Sequence, residues 1–362
     1  MVGHLIILRY FSREILETTA GVSLVLLLVV LSGRFIQFLE KAASGALSIE
    51  LMFTMILWRI PSSLELILPL ALTLSVLLVL GRMSLESELT ILRAAGYSNR
   101  RLFGIVLVPA TAIALLVGWL SLVLSPEVAR ELDRQVIAQE NLTVFDTVVP
   151  GRFQTDKSGR LIYAEGISDD RESLIDVFIV EPSTSKQKDT EVFLTGKIAR
   201  QQLNAGEKYL VLLNGYRHIG TDTSLEWEIS KFERYLIRLD PETDDRPESL
   251  DTKSTRALLA SSEAPELAIV SWRISLPIVC LLMLPVAFLI GRGSPRQGRF
   301  VWVIPIILIQ FGYITALSFA QKAITAGHWA PWPGLFWVHL VFLGGVSLAI
   351  GFGSFARRKG RL

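Results

Sequence analysis

Cysteine is almost missing from this chain. Cys280 stands alone inside an apolar run, which excludes an intrachain disulfide framework and a cysteine-based metal site. Its ordinary role is that of a small buried hydrophobe. Histidine is nearly as sparse: His4, His218, His328 and His339 are scattered without metal-ligand spacing, so no metal and no cofactor are expected. Catalytic motifs are missing as well. The pair Gly196-Lys197 is followed by Ile198 and lacks an upstream glycine, so the chain has no P-loop with which to hydrolyse ATP. G-x-S-x-G, H-E-x-x-H and paired intramembrane aspartates do not occur, and an enzyme is not expected. Charge of one sign is also lacking: the formal net charge is only +2, which gives no bulk attraction to nucleic acid.

What the chain has in excess is apolar sequence, 51% of 362 residues, gathered in long blocks as in membrane proteins. A helix needs roughly twenty apolar residues to span the hydrocarbon core. Segments near 16–38, 60–80, 102–124, 267–290, 300–320 and 334–355 meet that length. Their prolines, Pro69, Pro109, Pro277, Pro285 and Pro305, are compatible with spanning helices because neighbours can satisfy the freed backbone groups. The first run ends without a small-residue cleavage site and reads as a retained span. The predicted organisation is three spans over 1–124, a polar insertion over 125–265, and three spans over 266–362.

Basic residues orient these spans. With the N-terminus cytoplasmic, the inner connections hold Arg9, Arg13, Arg82, Arg93, Arg100, Arg101, Arg292, Arg296, Arg299, Arg357, Arg358, Lys359 and Arg361. The short outer ones hold only Arg34, Lys41, Arg59, Arg273 and Lys322. Both termini are therefore expected inside and the polar insertion outside.

The insertion opens with SPEVARELDRQVIAQEN, where Ser125 is suited to cap a helix and Pro126 to its first turn. Beyond Pro150 come short β-branched and aromatic runs such as GRLIYAEGI and SLIDVFIVEP. Asp-Lys-Ser-Gly, Asn-Ala-Gly-Glu and Asn-Gly punctuate them as hairpin signals. An all-β sandwich or jellyroll is expected. PETDDRPESLDTKST reads as the linker back to the membrane. The predicted fold class is thus membrane α-helical, with six transmembrane helices and an inserted all-β, jellyroll-like domain.

Three features point to function. GRMSLESELTILRAAG, between the second and third spans, predicts a cytoplasmic helix over about 82–98. Leu85, Leu89 and Leu92 recur at helical spacing, Ile91 lies beside them, and Glu86, Glu88 and Arg93 add charge. Gly96 is placed to stop this helix. Such a helix can dock a partner or can be a solvated connection. Arg34, Lys41 and Lys322 stand at the outer boundary, against the positive-inside preference. They suit an anionic headgroup, or equally can snorkel to lipid phosphates. Glu65 is a carboxylate within the second span; an ion pair with Arg59 or Arg34 is favoured over a direct functional role.

The ordered set RYFSRE, ILPLAL, GRMSLESELTILRAAGYS, SWRISLP and SPRQGR resembles the lipopolysaccharide export permeases of the LptF/LptG (YjgP/YjgQ) family, and ESELT and PRQGR resemble its LptF branch. The resemblance implies the membrane half of an ATP-binding-cassette exporter in the Gram-negative inner membrane. It implies a heterodimer with an LptG-type permease, two copies of an LptB-type ATPase, and an LptC-type bridge that receives lipopolysaccharide through the β domains. Glu88, preceded by Glu86, would sit on the coupling helix in the ATPase groove, with Leu85, Leu89, Leu92 and Arg93 around it. Arg34 matches a basic position that meets lipid A phosphates, and Lys322 a second one. Three residues beyond Arg34 the family's basic residue is replaced by Gln37, so Lys41 is the candidate substitute. Two other readings stay open on residues alone: a membrane-anchored periplasmic scaffold or binding protein, and a permease half for another amphiphile such as a lipoprotein.

Overall fold

The computed structural model describes residues 2–43, 49–140, 150–155, 159–168, 173–181, 190–204, 207–221, 227–238, 249–292 and 301–359. The SPRQGR loop and residues 241–248 of the linker lie outside them. The apolar blocks are helices: α1 (Val2–Ala43), α2 (Ile49–Trp58), α3 (Ile60–Leu85), α4 (Glu88–Ala94) and α5 (Asn99–Trp119). A π-helical turn (Leu120–Leu124) leads into α6 (Ser125–Glu140). After six strands come α7 (Thr255–Leu259), α8 (Ala264–Gly291), α9 (Val303–Thr325) and α10 (Phe336–Lys359). Among the described residues five helices are long and apolar enough to cross a bilayer, and α10 adds a shorter apolar stretch, Phe336–Leu348. An α-helical membrane protein with an inserted β domain is what the apolar blocks led one to expect.

The chain divides into a helical unit (Met1–Arg34, Met55–Asp133, Glu248–Leu362) and a β unit (Phe35–Thr54, Arg134–Pro247). In the helical unit α3 is central. Of its most apolar window 67% is buried, against 6% for α1. Leu72, Val76 and Leu80 of α3 form one core with Val106 of α5 and Leu276 and Leu284 of α8. Gly291 lets the end of α8 close on α3, since a Cβ there would stand 3.0 Å from Leu80 Cβ and 3.2 Å from the Leu77 carbonyl. This contact places the ends of α3 and α8 on one side of the helical unit.

The β unit holds β1 (Gln154–Thr155), β2 (Leu161–Ile167), β3 (Ser173–Glu181), β4 (Thr190–Asn204), β5 (Glu207–Thr221) and β6 (Glu228–Arg238). They form one antiparallel sheet in the order β1-β2-β3-β4-β5-β6. Among the described residues each strand pairs with its neighbours in the sequence, an antiparallel sheet in keeping with the expected all-β insertion. Ile162, Ile179, Leu194 and Leu212 bury one face, in keeping with period-two alternation. Asn214-Gly215, expected to join two strands, instead lies inside β5. Asn214 takes a positive φ of 52°, and a Cβ at Gly215 would stand 1.8 Å from the Thr195 carbonyl. The pair therefore kinks one strand against its neighbour.

Two prolines organise the helix ends away from the α3–α4 connection. A proline has no N–H for the carbonyl four residues back. Pro126 leaves that of Leu122, which accepts from Thr255 Oγ1 at 2.6 Å. Pro277 leaves that of Arg273, which accepts from Ser121 Oγ at 3.1 Å. Ser125 does not cap α6, because the π turn runs straight into that helix and leaves no free N-terminus. Its hydroxyl instead donates to Glu65 Oε2 at 2.7 Å, where an ion pair with Arg59 or Arg34 was expected. Arg273, assigned to a short outer connection from sequence, is buried within α8. Its guanidinium donates to the carbonyls of Asp251 at 2.9 Å and Lys253 at 3.1 Å and to Thr255 Oγ1 at 2.9 Å. Lys253 in turn pairs with Glu266 at 2.6 Å.

A second polar chain joins the last three helices. Ser275 Oγ of α8 donates to the Ser271 carbonyl at 2.7 Å. Its bond to His339 Nε2 on α10, 2.9 Å long, therefore has the ring N–H as donor. Nδ1 is left to accept from the Tyr313 hydroxyl of α9. All groups are satisfied with a neutral ring. Replacing His339 with Leu orphans the Tyr313 hydroxyl, and thermal unfolding in detergent is expected to reveal a loss of about 1–3 kcal/mol. Adding Tyr313→Phe should recover part of it. Equal stability of all three proteins would remove the chain as a structural tie.

Candidate functional site

The charged connection between α3 and α5 is not one helix. α3 runs on through Leu85, and Ser87 then adopts a left-handed conformation with φ 62° and breaks the path. This conformation is costly for a side-chain-bearing residue, about 1–2 kcal/mol. α4 follows, seven residues long, and ends in a Schellman turn. Gly96 N–H bonds the Arg93 carbonyl and Tyr97 N–H the Leu92 carbonyl, each at 3.0 Å. Gly96 supplies the required positive φ of 90°. Ser98 then caps α5 by accepting from Arg101 N–H at 3.4 Å.

The break divides the predicted leucine stripe. Leu89 is 2% exposed and belongs to the core of the helical unit, with Leu92 packed against it. Leu85 is 44% and Ile91 66% exposed. The expectation that Leu85, Leu89 and Leu92 form one stripe on one helix is thus corrected. A helix only two turns long is held to the chain's own core by Leu89 and Leu92, and Leu85 precedes the break on a different helix. The apolar groups open to a partner are Leu85 and Ile91, accompanied by exposed Glu86, Thr90 and Arg93.

Glu88 is half-buried and held in place. The Tyr10 hydroxyl of α1 donates to it at 3.1 and 3.3 Å. Arg82 donates to Tyr10 at 3.4 Å and to Glu14 at 2.7 Å, and lies 3.5 Å from Glu86. This network ties the first helix to the α3–α4 turn. Near it Phe11 and Ile15 are fully buried, so α1 is anchored by this end. Tyr10, Glu14 and Arg82 were missed from sequence. The RYFSRE motif contains the first two, but a polar pairing across 72 residues leaves no periodic trace.

The candidate headgroup cations stand apart from that network. Tyr10 fixes one end of α1, and Arg34 lies a further 24 positions along the same helix, exposed. This separation is about 36 Å in a straight helix. Lys322 is exposed in the last turn of α9. Lys41 falls in the last turn of α1, with its side chain outside the described residues. The structure sets Arg34 and Lys322 on separate helices.

A family model described as lipopolysaccharide export system permease LptF/LptG matches residues 9–350. The chain is similar to the lipopolysaccharide export system permease protein LptF of Escherichia coli (strain K12). The two are 24% identical over 349 residues, which cover 94% of this chain and 93% of that protein. A protein of the same description from Shigella flexneri matches to the same extent.

The Tyr10–Glu88 contact can be probed without a partner. Tyr10→Phe removes the hydroxyl that donates to Glu88 and accepts from Arg82, and is expected to cost under about 1 kcal/mol at this exposed position. Hydrogen exchange at the amides of 88–94 should accelerate two- to five-fold, roughly the factor set by such a loss. Unchanged exchange there would show that the bond does not restrain α4.

Proposed function

Because the chain belongs to the LptF/LptG family of lipopolysaccharide export system permeases, we propose that it is the LptF-type half of an exporter driven by a separate ATPase. It pairs with an LptG-type permease, stands on two copies of an LptB-type ATPase in the inner membrane, and passes lipopolysaccharide to an LptC-type bridge. Both termini are cytoplasmic and the β unit periplasmic, a reading supported by the Arg and Lys bias of the short connections.

The observation that carries the reading is a match over residues 9–350 in a chain that has no P-loop yet presents charged groups at the end of its most buried span. A protein that cannot hydrolyse ATP must receive motion from one that can. Glu86 and Glu88 accept charge-assisted hydrogen bonds from the ATPase surface. Leu85 and Ile91 supply apolar contact beside them, and Arg93 adds a cation at the end of α4. Since α4 is fixed to the core by Leu89, force applied there passes directly into α3. Lipopolysaccharide enters sideways along α1 and α9. These helices keep most of their apolar surface open, with 6% and 28% of their apolar windows buried, as suits walls shared with a partner permease. Arg34, Lys41 and Lys322 meet lipid A phosphates at the outer boundary. The apolar face of the β unit receives the acyl chains, and its edge strand pairs with the neighbouring β unit.

Purification from membranes tests this directly. A cassette ATPase, a homologous partner and bound lipopolysaccharide should come with the chain. A chain that returns alone, whatever the nucleotide, is a scaffold or anchored binding protein instead. Glu88→Lys should lower ATPase retention at least ten-fold, the factor for about 1.4 kcal/mol, with membrane insertion unchanged. Normal retention and export in this variant would remove α4 as the docking element. Arg34→Glu places a negative charge where phosphate is expected. Crosslinking of lipopolysaccharide from a photoprobe next to residue 34 should fall several-fold, and an unchanged yield would remove Arg34 from the phosphate site.

A further inference from the structure

We infer that Thr255 and Arg273, with Glu65, form a polar clamp that holds both membrane-side roots of the β unit, and that they are positioning residues for transport. The inference rests on the permease reading above. The chain leaves for the β unit through the π turn and α6, and returns through the segment Asp251–Thr255. Both paths meet at the same hydroxyl. Thr255 Oγ1 donates to the Leu122 carbonyl on the outgoing path at 2.6 Å and accepts from Arg273 at 2.9 Å. Arg273 also holds the returning segment by its backbone, at the carbonyls of Asp251 and Lys253. Glu65 adds the third element by accepting from Ser125, the first residue of α6.

These bonds are more than packing between neighbours. Two of the carbonyls that a proline leaves without its helical donor, those of Leu122 and Arg273, are served by hydroxyls from other segments. Releasing the clamp in an apolar setting would leave acceptors exposed to hydrocarbon, which is unfavourable. The three elements α3, α5 and α8 therefore cannot shift at this level without carrying the roots along. At its other end α3 leads into α4. Motion delivered to α4 thus reaches, through α3 and the clamp, the two segments by which the chain leaves for the β unit and returns from it. None of these groups needs to touch the transported lipid.

The test uses the whole complex, with the chain, its partner permease and the ATPase, in proteoliposomes loaded with lipopolysaccharide. Thr255→Val keeps the shape and removes the hydroxyl. Assembly and ATP hydrolysis should persist, while lipopolysaccharide transferred per ATP falls roughly five-fold, the factor for one net hydrogen bond. Thr255→Ser should restore the ratio, which loss of packing alone would not allow. Ser121→Ala, which removes the hydroxyl serving the Arg273 carbonyl, should lower the ratio in the same direction. Full transfer per ATP in Thr255→Val overturns the clamp and leaves the permease reading standing. A wild-type complex that neither retains the ATPase nor moves lipopolysaccharide overturns that reading, and the clamp with it.

Discussion

A carbonyl in hydrocarbon must find a donor, and this chain repeatedly creates carbonyls that lack one. Each proline inside a span withdraws an N–H from the helix. At Pro126 and Pro277 the deficit is met across helices by the hydroxyls of Thr255 and Ser121. These bonds settle where the returning segment docks and how α5 meets α8. Hydrophobic contact alone would leave the helices free to slide in lipid, where burial provides little drive for association. Directional bonds to otherwise unserved carbonyls supply the register that apolar packing lacks. The Ser275–His339–Tyr313 chain extends the same logic to α9 and α10.

Much of this fold was legible in the residues because length and hydropathy are local properties. The apolar blocks, the polar insertion, its β texture and the stop at Gly96 all follow from short windows. What stayed hidden depends on partners far along the chain. Ser125 has every mark of an N-cap, but nothing local reveals that the π turn removes the helix terminus it would cap. Glu65 was paired with Arg59 or Arg34, cations expected at the same boundary, whereas folding brings a serine 60 residues away. Asn214-Gly215 is a turn signal that the close approach of β4 converts into a kink.

The candidate docking segment shows a subtler limit. Periodicity identified Leu85, Leu89 and Leu92 as one stripe and could not tell which way it faced. A single left-handed residue, Ser87, breaks the phase between Leu85 and the other two, and those two serve the chain's own core. The setting of the candidate carboxylates was not legible in sequence, because Glu88 is held by a tyrosine on the first helix. In the proposed function this setting matters. A carboxylate already oriented by Tyr10 loses less freedom on meeting a cationic partner than one on a mobile loop.

The length and burial of α3 explain why it is suited to carry force. Its 26 residues extend about 39 Å, enough to cross a bilayer. Pro69 lies inside it, and Thr73 Oγ1 one turn on donates to the Pro69 carbonyl at 2.8 Å. Residues 71–77 on the far side of this point are buried without interruption. A helix bound on all sides resists bending, because any bend opens gaps in a close-packed interior. In the proposed function, displacement at its α4 end is therefore carried to Glu65. The exposed helix α1 is the opposite case: Phe11 and Ile15 are buried near one end, and only 6% of its most apolar window is buried. In the proposed function, burial thus separates a stiff element suited to transmit motion from a wall suited to admit a lipid.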